Sequence, residues 1–370
     1  MLYCFTFITM VGGNPKKDAY GFRYWRDPGP MNQYLATGDL GRFEGFLGAL
    51  WAASFCIVGP EYISMVSGEA KRPRKYIKTA FKTVYWRFGI FFILGAICVG
   101  VVIPYNDPTL DAILNGDSGG SGTAAASPYV IAMKNLAIPV LPHITNALLV
   151  TSIFSAGNTY TYCATRSLYA LAIEGRAPKI FRKCTKNGVP IYCFAITMVF
   201  PFLSFLQVSS NSAKVLTWLV ALITAGGIID YIVMLITYIA FHKACVAQKI
   251  DRKTLPYCGW FQPYQTYFAL AFLTCVVFCY GYAVFLPGHW KIDDFMASYA
   301  MVGVAPILFV FWKVFKRTRI VPSHEVDLVW DAPLIDAYEA SFITPPIGFW
   351  TELLQLVGLK RDVPVDHRNV

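Results

Sequence analysis

The sequence predicts an all-α protein that crosses a membrane several times. Of its 370 residues, 56% are hydrophobic and 15% are charged, and the mean hydropathy is +0.47. A soluble globular domain carries about 25% charged residues, so most of the surface of this chain is expected to face lipid. Several apolar stretches also reach the length of about 20 residues that a helix needs to cross a bilayer.

The apolar stretches define the predicted spans in order along the chain. Residues 1–11 have the character of the second half of a span, which leads us to expect that sequence is missing before Met1. The full spans are Phe46 to Val66, Val84 to Ile103, Ile144 to Leu171, Ile191 to Leu206, Val215 to Phe241, Tyr267 to Leu286 and Phe295 to Phe315. We therefore expect a transmembrane domain over residues 1–320, with half a span and seven full spans, and a cytoplasmic tail over residues 321–370.

Lysine and arginine in the short loops predict the orientation of these spans. Basic residues concentrate in the loops after the first, third, fifth and seventh full spans, whereas the loop over residues 104–142 has Lys134 as its one basic side chain. Such residues mark the cytoplasmic side of a membrane protein, so the C-terminus is expected inside. The basic loops on the cytoplasmic side then account for the net charge of +10, and we expect no nucleic-acid partner.

One short run has the letters of an enzyme motif. Gly116-Asp117-Ser118-Gly119-Gly120 is similar to the sequence around the nucleophilic serine of trypsin-like proteases. That chemistry needs a histidine base, which precedes the serine in that family, but every histidine here follows Ser118. The surrounding Gly-, Ser- and Ala-rich loop favours a flexible connector instead. The cysteines show no CxxC pair and no zinc-site spacing, so we expect no enzyme, no metal and no other cofactor.

The first full span contains a carboxylate beside a helix breaker. Glu61 follows Gly59-Pro60 in SFCIVGPEYISMVSGE, and proline removes a backbone donor and clashes with the preceding turn. A charge inside a span costs about 2.5–3.5 kcal/mol on insertion scales. Unwound backbone at membrane depth is typical of transporter substrate sites. The alternative is a proline kink with Glu61 hydrogen-bonded to a neighbouring helix.

Two other spans carry polar residues. Asp230 flanks a helical face formed by Thr217, Thr224, Gly227, Tyr231 and Tyr238. A polar stripe on another span consists of Thr151, Ser155, Asn158, Tyr162 and Thr165. Both patterns follow the period of an α-helix. Each indicates either a polar site or hydrogen bonding between membrane helices without a role in substrate binding.

Several segments resemble a known family. They are FCIVGPEYISMVSGEAKRPRKYI, VIPYNDPTL, ASPYVIAMKN, SIFSAGNTYTYCATRSLYALA, NGVP, TWLVAL and FHKA. In this order they resemble the fungal amino-acid permeases of the amino acid–polyamine–organocation superfamily, densely over residues 12 to about 250. Within that family the segments most resemble the general amino-acid permease-like subgroup whose members handle carnitine and polyamines.

The resemblance implies a fold of inverted repeats with broken helices. That family has twelve helices, and the sixth is broken and carries a Phe-x-x-x-Gly-x-Glu pattern. Phe55, Gly59 and Glu61 match it, so the chain would contain helices about 5 to 12. The family's first four helices, including its other broken helix, have no counterpart in the chain.

The resemblance also implies the roles of particular residues. Phe55 would gate the substrate, the backbone from Ile57 to Pro60 would hold its charged ends, and Glu61 would couple transport to protons. The implied substrate site as a whole comprises Phe55, Ile57, Gly59, Pro60, Glu61, Ser155, Asn158, Thr224 and Asp230.

The function implied is secondary active transport of amino acids or related cationic amines, such as carnitine and polyamines, across the plasma membrane by proton symport. The expected partners are this small-molecule substrate, protons and the lipid bilayer. The alternative is a truncated, non-transporting membrane protein that acts as a nutrient sensor or interaction partner. With the first helices missing, the 370-residue chain alone is expected to show no saturable uptake.

Overall fold

A computed structural model describes residues 1–57, 59–70, 72–114, 127–208 and 210–342, and the single residues 351, 354 and 358. The regular elements of this part are all helical, which confirms the predicted all-α class. In chain order the α-helices are α1 (Leu2–Met10), α2 (Arg23–Arg26), α3 (Gly38–Ile57), α4 (Tyr62–Met65), α5 (Pro73–Arg87), α6 (Leu94–Val102), α7 (Pro108–Leu114), α8 (Pro128–Asn135), α9 (Leu141–Ile173), α10 (Ile191–Thr197), α11 (Ser210–Ala247), α12 (Tyr264–Cys279), α13 (Ile292–Lys316) and α14 (Ala332–Ala340).

Each predicted span coincides largely with helix, but four of them are not continuous α-helix, including the sixth, where α12 ends at Cys279 and a 3₁₀-helix, Tyr282–Phe285, follows. The first ends as α3 at Ile57 and resumes as α4. The second runs through α5 and α6 with a π-helical segment, Phe88–Ile93, between them. The fourth begins as α10 and continues as a 3₁₀-helix, Phe200–Val208. Hydropathy alone does not predict such interruptions, because they change the hydrogen-bonding pattern and leave the apolar composition unchanged.

The described helices present the surface of a membrane protein. Pro73–Val102, Trp218–Ala247 and Ile292–Lys316 are long and apolar enough to cross a bilayer, judged by length and composition, and Ile191–Leu206 and Tyr264–Cys279 are shorter apolar helices. Large apolar side chains point outward, among them Phe7, Phe154 and Phe309, which are 67%, 79% and 65% exposed. Apolar surface on this scale is stable in lipid and not in water.

In the described part of the chain, two clusters of buried apolar residues pack helices against one another. One packs α1, α6 and α8 around buried residues such as Phe5, Val101 and Met133. The other packs Ile228 of α11 against Val276 and Val277 of α12, with Leu50 and Trp51 of α3 at its edge. The Trp51 ring also stacks on Tyr280, with ring centroids 3.5 Å apart. The second cluster therefore fixes α3 against α11 and α12.

Two predictions concern segments that lie wholly or mostly outside the described residues. The run around Ser118 lies outside the described residues, as does most of the chain beyond residue 342. Within the described part, no group of three or more His, Cys, Asp or Glu side chains is arranged to hold a metal ion.

Candidate functional site at a broken helix

The structure interrupts the helix where Gly59-Pro60 predicts a break. α3 ends at Ile57 and α4 begins at Tyr62. Gly59 has φ +133°, a conformation that a residue with a Cβ rarely adopts. Pro60 has no N–H to continue the helical hydrogen bonding. The first full span is therefore two helical pieces joined by a non-helical link.

Glu61 bonds to both sides of this link. Its Oε2 accepts a hydrogen bond from the Gly59 N–H at 3.0 Å and one from the Tyr231 hydroxyl of α11 at 2.5 Å. The Gly59 N–H also points at the Tyr231 hydroxyl oxygen, 3.2 Å away. A single carboxylate oxygen thus accepts from a backbone amide freed by the break and from a side chain on another helix.

The strength of the hydrogen bonds to Glu61 depends on whether its carboxylate is charged. Glu61 and Tyr231 are both partly buried, and hydrogen bonds to an ionised acceptor are roughly twice as strong as neutral ones. The carboxylate therefore ties the break to α11 while it is charged. If Glu61 takes up a proton, the charge disappears and this tie weakens. A group of this kind can convert protonation into movement of two helices relative to each other.

Asp230 places a second carboxylate beside the first. It precedes Tyr231 in α11, and successive residues of an α-helix are turned by about 100°. The Asp230 side chain is exposed, and it lies next in the chain to Tyr231, whose hydroxyl donates to Glu61 Oε2. The Asp230 carboxylate accepts no hydrogen bond from another described residue. Two neighbouring negative charges favour a positively charged ligand near them.

A cavity of about 400 Å³ lies on another side of the break. Gly59 and Pro60 line it from the link and Tyr62 from the start of α4. Arg87 and Phe88 line it from the second span, and residues of α9 form a further wall. Tyr62 meets the Tyr160 ring of α9 edge-on, with ring centroids 5.6 Å apart. The cavity thus combines aromatic walls with one guanidinium.

The sequence comparisons identify the family of the protein. The family model for amino acid permeases matches residues 1–324, which is most of the chain. The chain belongs to the amino acid permease family.

Characterised members of the amino acid permease family support this assignment. The chain is 44% identical to the general amino acid permease AGP2 of Saccharomyces cerevisiae over 346 residues, which cover 91% of the chain and 57% of that protein. It is 39% identical to the proline-specific permease of Emericella nidulans (89% of the chain, 60% of that protein). It is 38% identical to the dicarboxylic amino acid permease of Saccharomyces cerevisiae (90% and 54%).

These matches also bear on the class of protein. The chain spans somewhat more than half the length of the relatives it matches. No solved structure matches it significantly. Because the relatives are permeases and not enzymes, the expectation that this permease-family chain is not an enzyme is confirmed. The chain is a multi-pass membrane protein, as predicted.

The structure brings some of the predicted site residues together. Gly59, Pro60 and Glu61 form the link. Thr224 is buried on α11, two turns before Tyr231, where its hydroxyl donates to the Val220 carbonyl at 2.9 Å. Phe55 and Ile57 lie at the end of α3, and their side chains are outside the described part of the chain.

Most of the polar stripe on α9 does not line the cavity at the break. Ser155 and Asn158 are exposed, and the α9 residues that line the cavity are Ala156, Thr159, Tyr160, Tyr162 and Cys163. Of the stripe, Tyr162 lines the cavity, and its hydroxyl donates to Glu69 Oε2 at 2.6 Å. Glu69 also forms an ion pair with Arg166. In this chain, α9 contacts the segment that follows the break through Tyr162 and Arg166, in addition to the Tyr160 ring.

Sequence reasoning missed three of these residues. Tyr231 was placed on the polar face of its span but not as the partner of Glu61. Arg87 belongs to the basic residues that follow the first full span and were given no role in a site, although it lines the cavity. Glu69 carried no signal, because a glutamate near the end of a span normally reaches water. The even spacing of Thr224, Tyr231 and Tyr238 was the one available indication of the correct face.

Proposed function

We propose that this protein is a secondary active transporter that carries amino acids or related cationic amines, including carnitine and polyamines, across the plasma membrane by proton symport. Family membership supports transport, and the relatives are named for general, proline and dicarboxylic amino acid permeases. The observation that carries the proposal is the Glu61 carboxylate bonded across a helix break to Gly59 and Tyr231.

The proposed coupling follows from these bonds. Ionised Glu61 holds the link against α11, whereas protonated Glu61 holds it less strongly because the charge-assisted bonds are lost. Freed polar backbone at the link then becomes available to a substrate. Return of the proton to water on the other side restores the tie. Proton and substrate would in this way cross together.

The driving force can be tested by uptake in a permease-deficient host. A full-length version of the protein is expected to accumulate labelled substrate against its gradient and to lose accumulation when a protonophore collapses the pH gradient. Facilitated equilibration without accumulation should remain, because the substrate path is intact. Accumulation that survives the protonophore and instead follows a sodium gradient would contradict proton symport.

Asp230 supports the choice of substrate class. Its exposed carboxylate lies next in the chain to Tyr231, the hydrogen-bond partner of Glu61, and a charge pair is stronger where the surroundings are less polar than water. A protonated amine or a quaternary ammonium group would relieve the repulsion between these carboxylates. Tyr231 adds an aromatic ring, and cations bind to ring faces.

Asp230→Asn is expected to reduce the preference for cationic substrates. The loss of one nearby exposed charge should weaken competition by carnitine or a polyamine by up to about fivefold relative to a neutral amino acid such as proline. Competition against labelled uptake, in wild type and variant, measures this ratio. Identical rankings of the competitors in the two proteins would remove Asp230 from substrate selection.

The orientation is a further part of the proposal, with the C-terminus in the cytoplasm. Basic residues such as Arg176, Lys179 and Arg182 occupy the loop after α9. The loop around Ser118 instead contains acidic residues and many residues with small side chains. Glycosylation acceptors inserted near Ser118 should be modified in cells, and acceptors inserted near Cys184 should not. The opposite pattern of modification would reverse the topology.

A further inference from the structure

The segment after the last span folds back onto the start of α5. The arginine pair, Arg72 and Arg74, receives α14, which we call the tail helix. Arg74 forms an ion pair with Asp336 and donates a hydrogen bond to the Ala332 carbonyl at 3.1 Å. Arg72 donates to the Phe342 carbonyl at 2.8 Å. These partners lie more than 250 residues away in the chain, so the contact is a tertiary one.

The two helices also cap each other. The first N–H groups of a helix have no partner within the helix, and Arg72 at the N-cap of α5 provides no capping side chain. Glu339 of the tail helix fills this place, since its Oε1 accepts the Arg74 N–H at 3.0 Å. A carboxylate is favourable at a helix N-terminus because of the helix dipole.

The other end of the tail helix is capped in return. The Arg72 guanidinium binds the carbonyl of Phe342, just beyond the last helical residues, and lies 5.7 Å from the centre of the Phe342 ring. A cation near a helix C-terminus is favourable for the same reason that an anion is at its start. Upstream, the Gln248 side-chain amide holds the connecting segment by donating to the carbonyls of Ser323 and Val326, at 3.2 and 2.7 Å.

The arginine pair lies a few residues after the broken helix in the chain, so its contact with the tail helix bears on the break. The post-break segment, residues 62–69, begins directly after the Gly59-Pro60-Glu61 link and ends at Glu69. Three residues separate it from α5. Glu69 is itself fixed to α9 through Arg166 and Tyr162. The tail helix is therefore joined through α5 to the half of the broken helix that must tilt if the link opens.

We propose that the tail helix is an intramolecular docking element that binds the arginine pair and restrains the post-break segment. A nine-residue helix is not stable by itself in water, so the tail helix folds because it is docked. Binding at Arg72 and Arg74 holds the start of α5, which limits movement of residues 62–69. Release of the tail helix would free that segment. This inference concerns regulation and stands whether or not the proposed substrates are correct.

Hydrogen–deuterium exchange of the purified 370-residue chain in detergent tests the docking without any transport assay. Arg74→Glu is expected to speed exchange in residues 332–342 by about fivefold, and that in residues 62–69 to a smaller extent. Lys78→Glu is the matched control, because it makes the same charge change one turn along α5 and Lys78 has no ion pair in the described part of the chain. The exchanged pair Arg74→Glu with Asp336→Arg should recover protection of the tail helix.

Each outcome bears on the proposal. Unchanged exchange in residues 332–342, or an equal rise with Lys78→Glu, would overturn the docking. A rise in the tail helix with no change in residues 62–69 would overturn the restraint on the post-break segment. If Arg74→Glu disturbs the spans, seen as faster exchange in α11, then Asp336→Asn with Glu339→Gln removes the charges from the tail side. Higher ionic strength should act in the same direction in wild type, because salt screens exposed ion pairs.

Discussion

Glu61→Gln is expected to abolish concentrative uptake by a full-length version of the protein, with a loss of about a hundredfold or more in pH-driven accumulation. Glutamine keeps the shape of the side chain and an oxygen that can accept from Gly59 and Tyr231. It cannot take up and release a proton, so substrate movement would no longer depend on the pH gradient. Accumulation ratios of labelled substrate across imposed pH gradients measure the effect.

Glu174→Gln provides the matched control for this substitution. Glu174 is exposed at the end of α9, where it pairs with Arg176 at 3.0 Å. An exposed pair of this kind contributes at most about 1 kcal/mol to stability. Its loss should leave uptake unchanged. If Glu61→Gln keeps its response to the pH gradient, Glu61 is a structural tie between helices and the proton passes elsewhere.

Gly59→Ala is expected to have the second-largest effect. A Cβ at Gly59 would have room, since the nearest atom is 4.0 Å away on the Tyr62 ring. The backbone conformation is the obstacle, because φ of +133° is costly for alanine by about 1–3 kcal/mol. The link must distort, and the Gly59 N–H then leaves Glu61. We expect uptake to fall by about tenfold or more.

Gly157→Ala separates this backbone effect from the addition of a methyl group. Gly157 lies within α9 with no atom in reach of an added Cβ, and alanine is favoured over glycine in a helix by about 1 kcal/mol. Uptake should be retained and thermal stability raised slightly. If both substitutions have the same effect on uptake, the special conformation at Gly59 is not needed for transport.

The sequence predicted features that depend on local chemistry. The all-α class and the approximate spans followed from apolar length, and the interruption followed from Gly59-Pro60. The start of α3 at Gly38 was not predicted, since its first turns are polar and fall outside any hydropathy window. Local pattern also identified α11 as a helix with one polar face, which the burial of Thr224 and the inward position of Tyr231 bear out.

Contacts between distant segments could not be predicted in the same way. The pairing of Glu61 with Tyr231 joins residues 170 positions apart, and Arg74 meets Asp336 across 262 positions. Nothing in either local sequence specifies the other. Ser155 and Asn158 show the limit of the helical-wheel argument: it groups polar residues on one face of α9, but it does not determine which face the neighbouring helix covers.

The π-helical segment Phe88–Ile93 affects how the second span tolerates changes in length. A π turn holds one residue more than an α turn over the same rise, so it accommodates an inserted residue without turning the helix on either side. In an ordinary α-helix, loss of one residue rotates everything beyond it by about 100°. Loss of one residue within Phe88–Ile93 would instead leave a regular α-helix, with Arg87 still directed at the cavity and Val101 still in the core. A one-residue deletion in this segment would therefore leave the side chains on either side pointing in the same directions. A gap at this place in an alignment of relatives would not indicate a change in architecture.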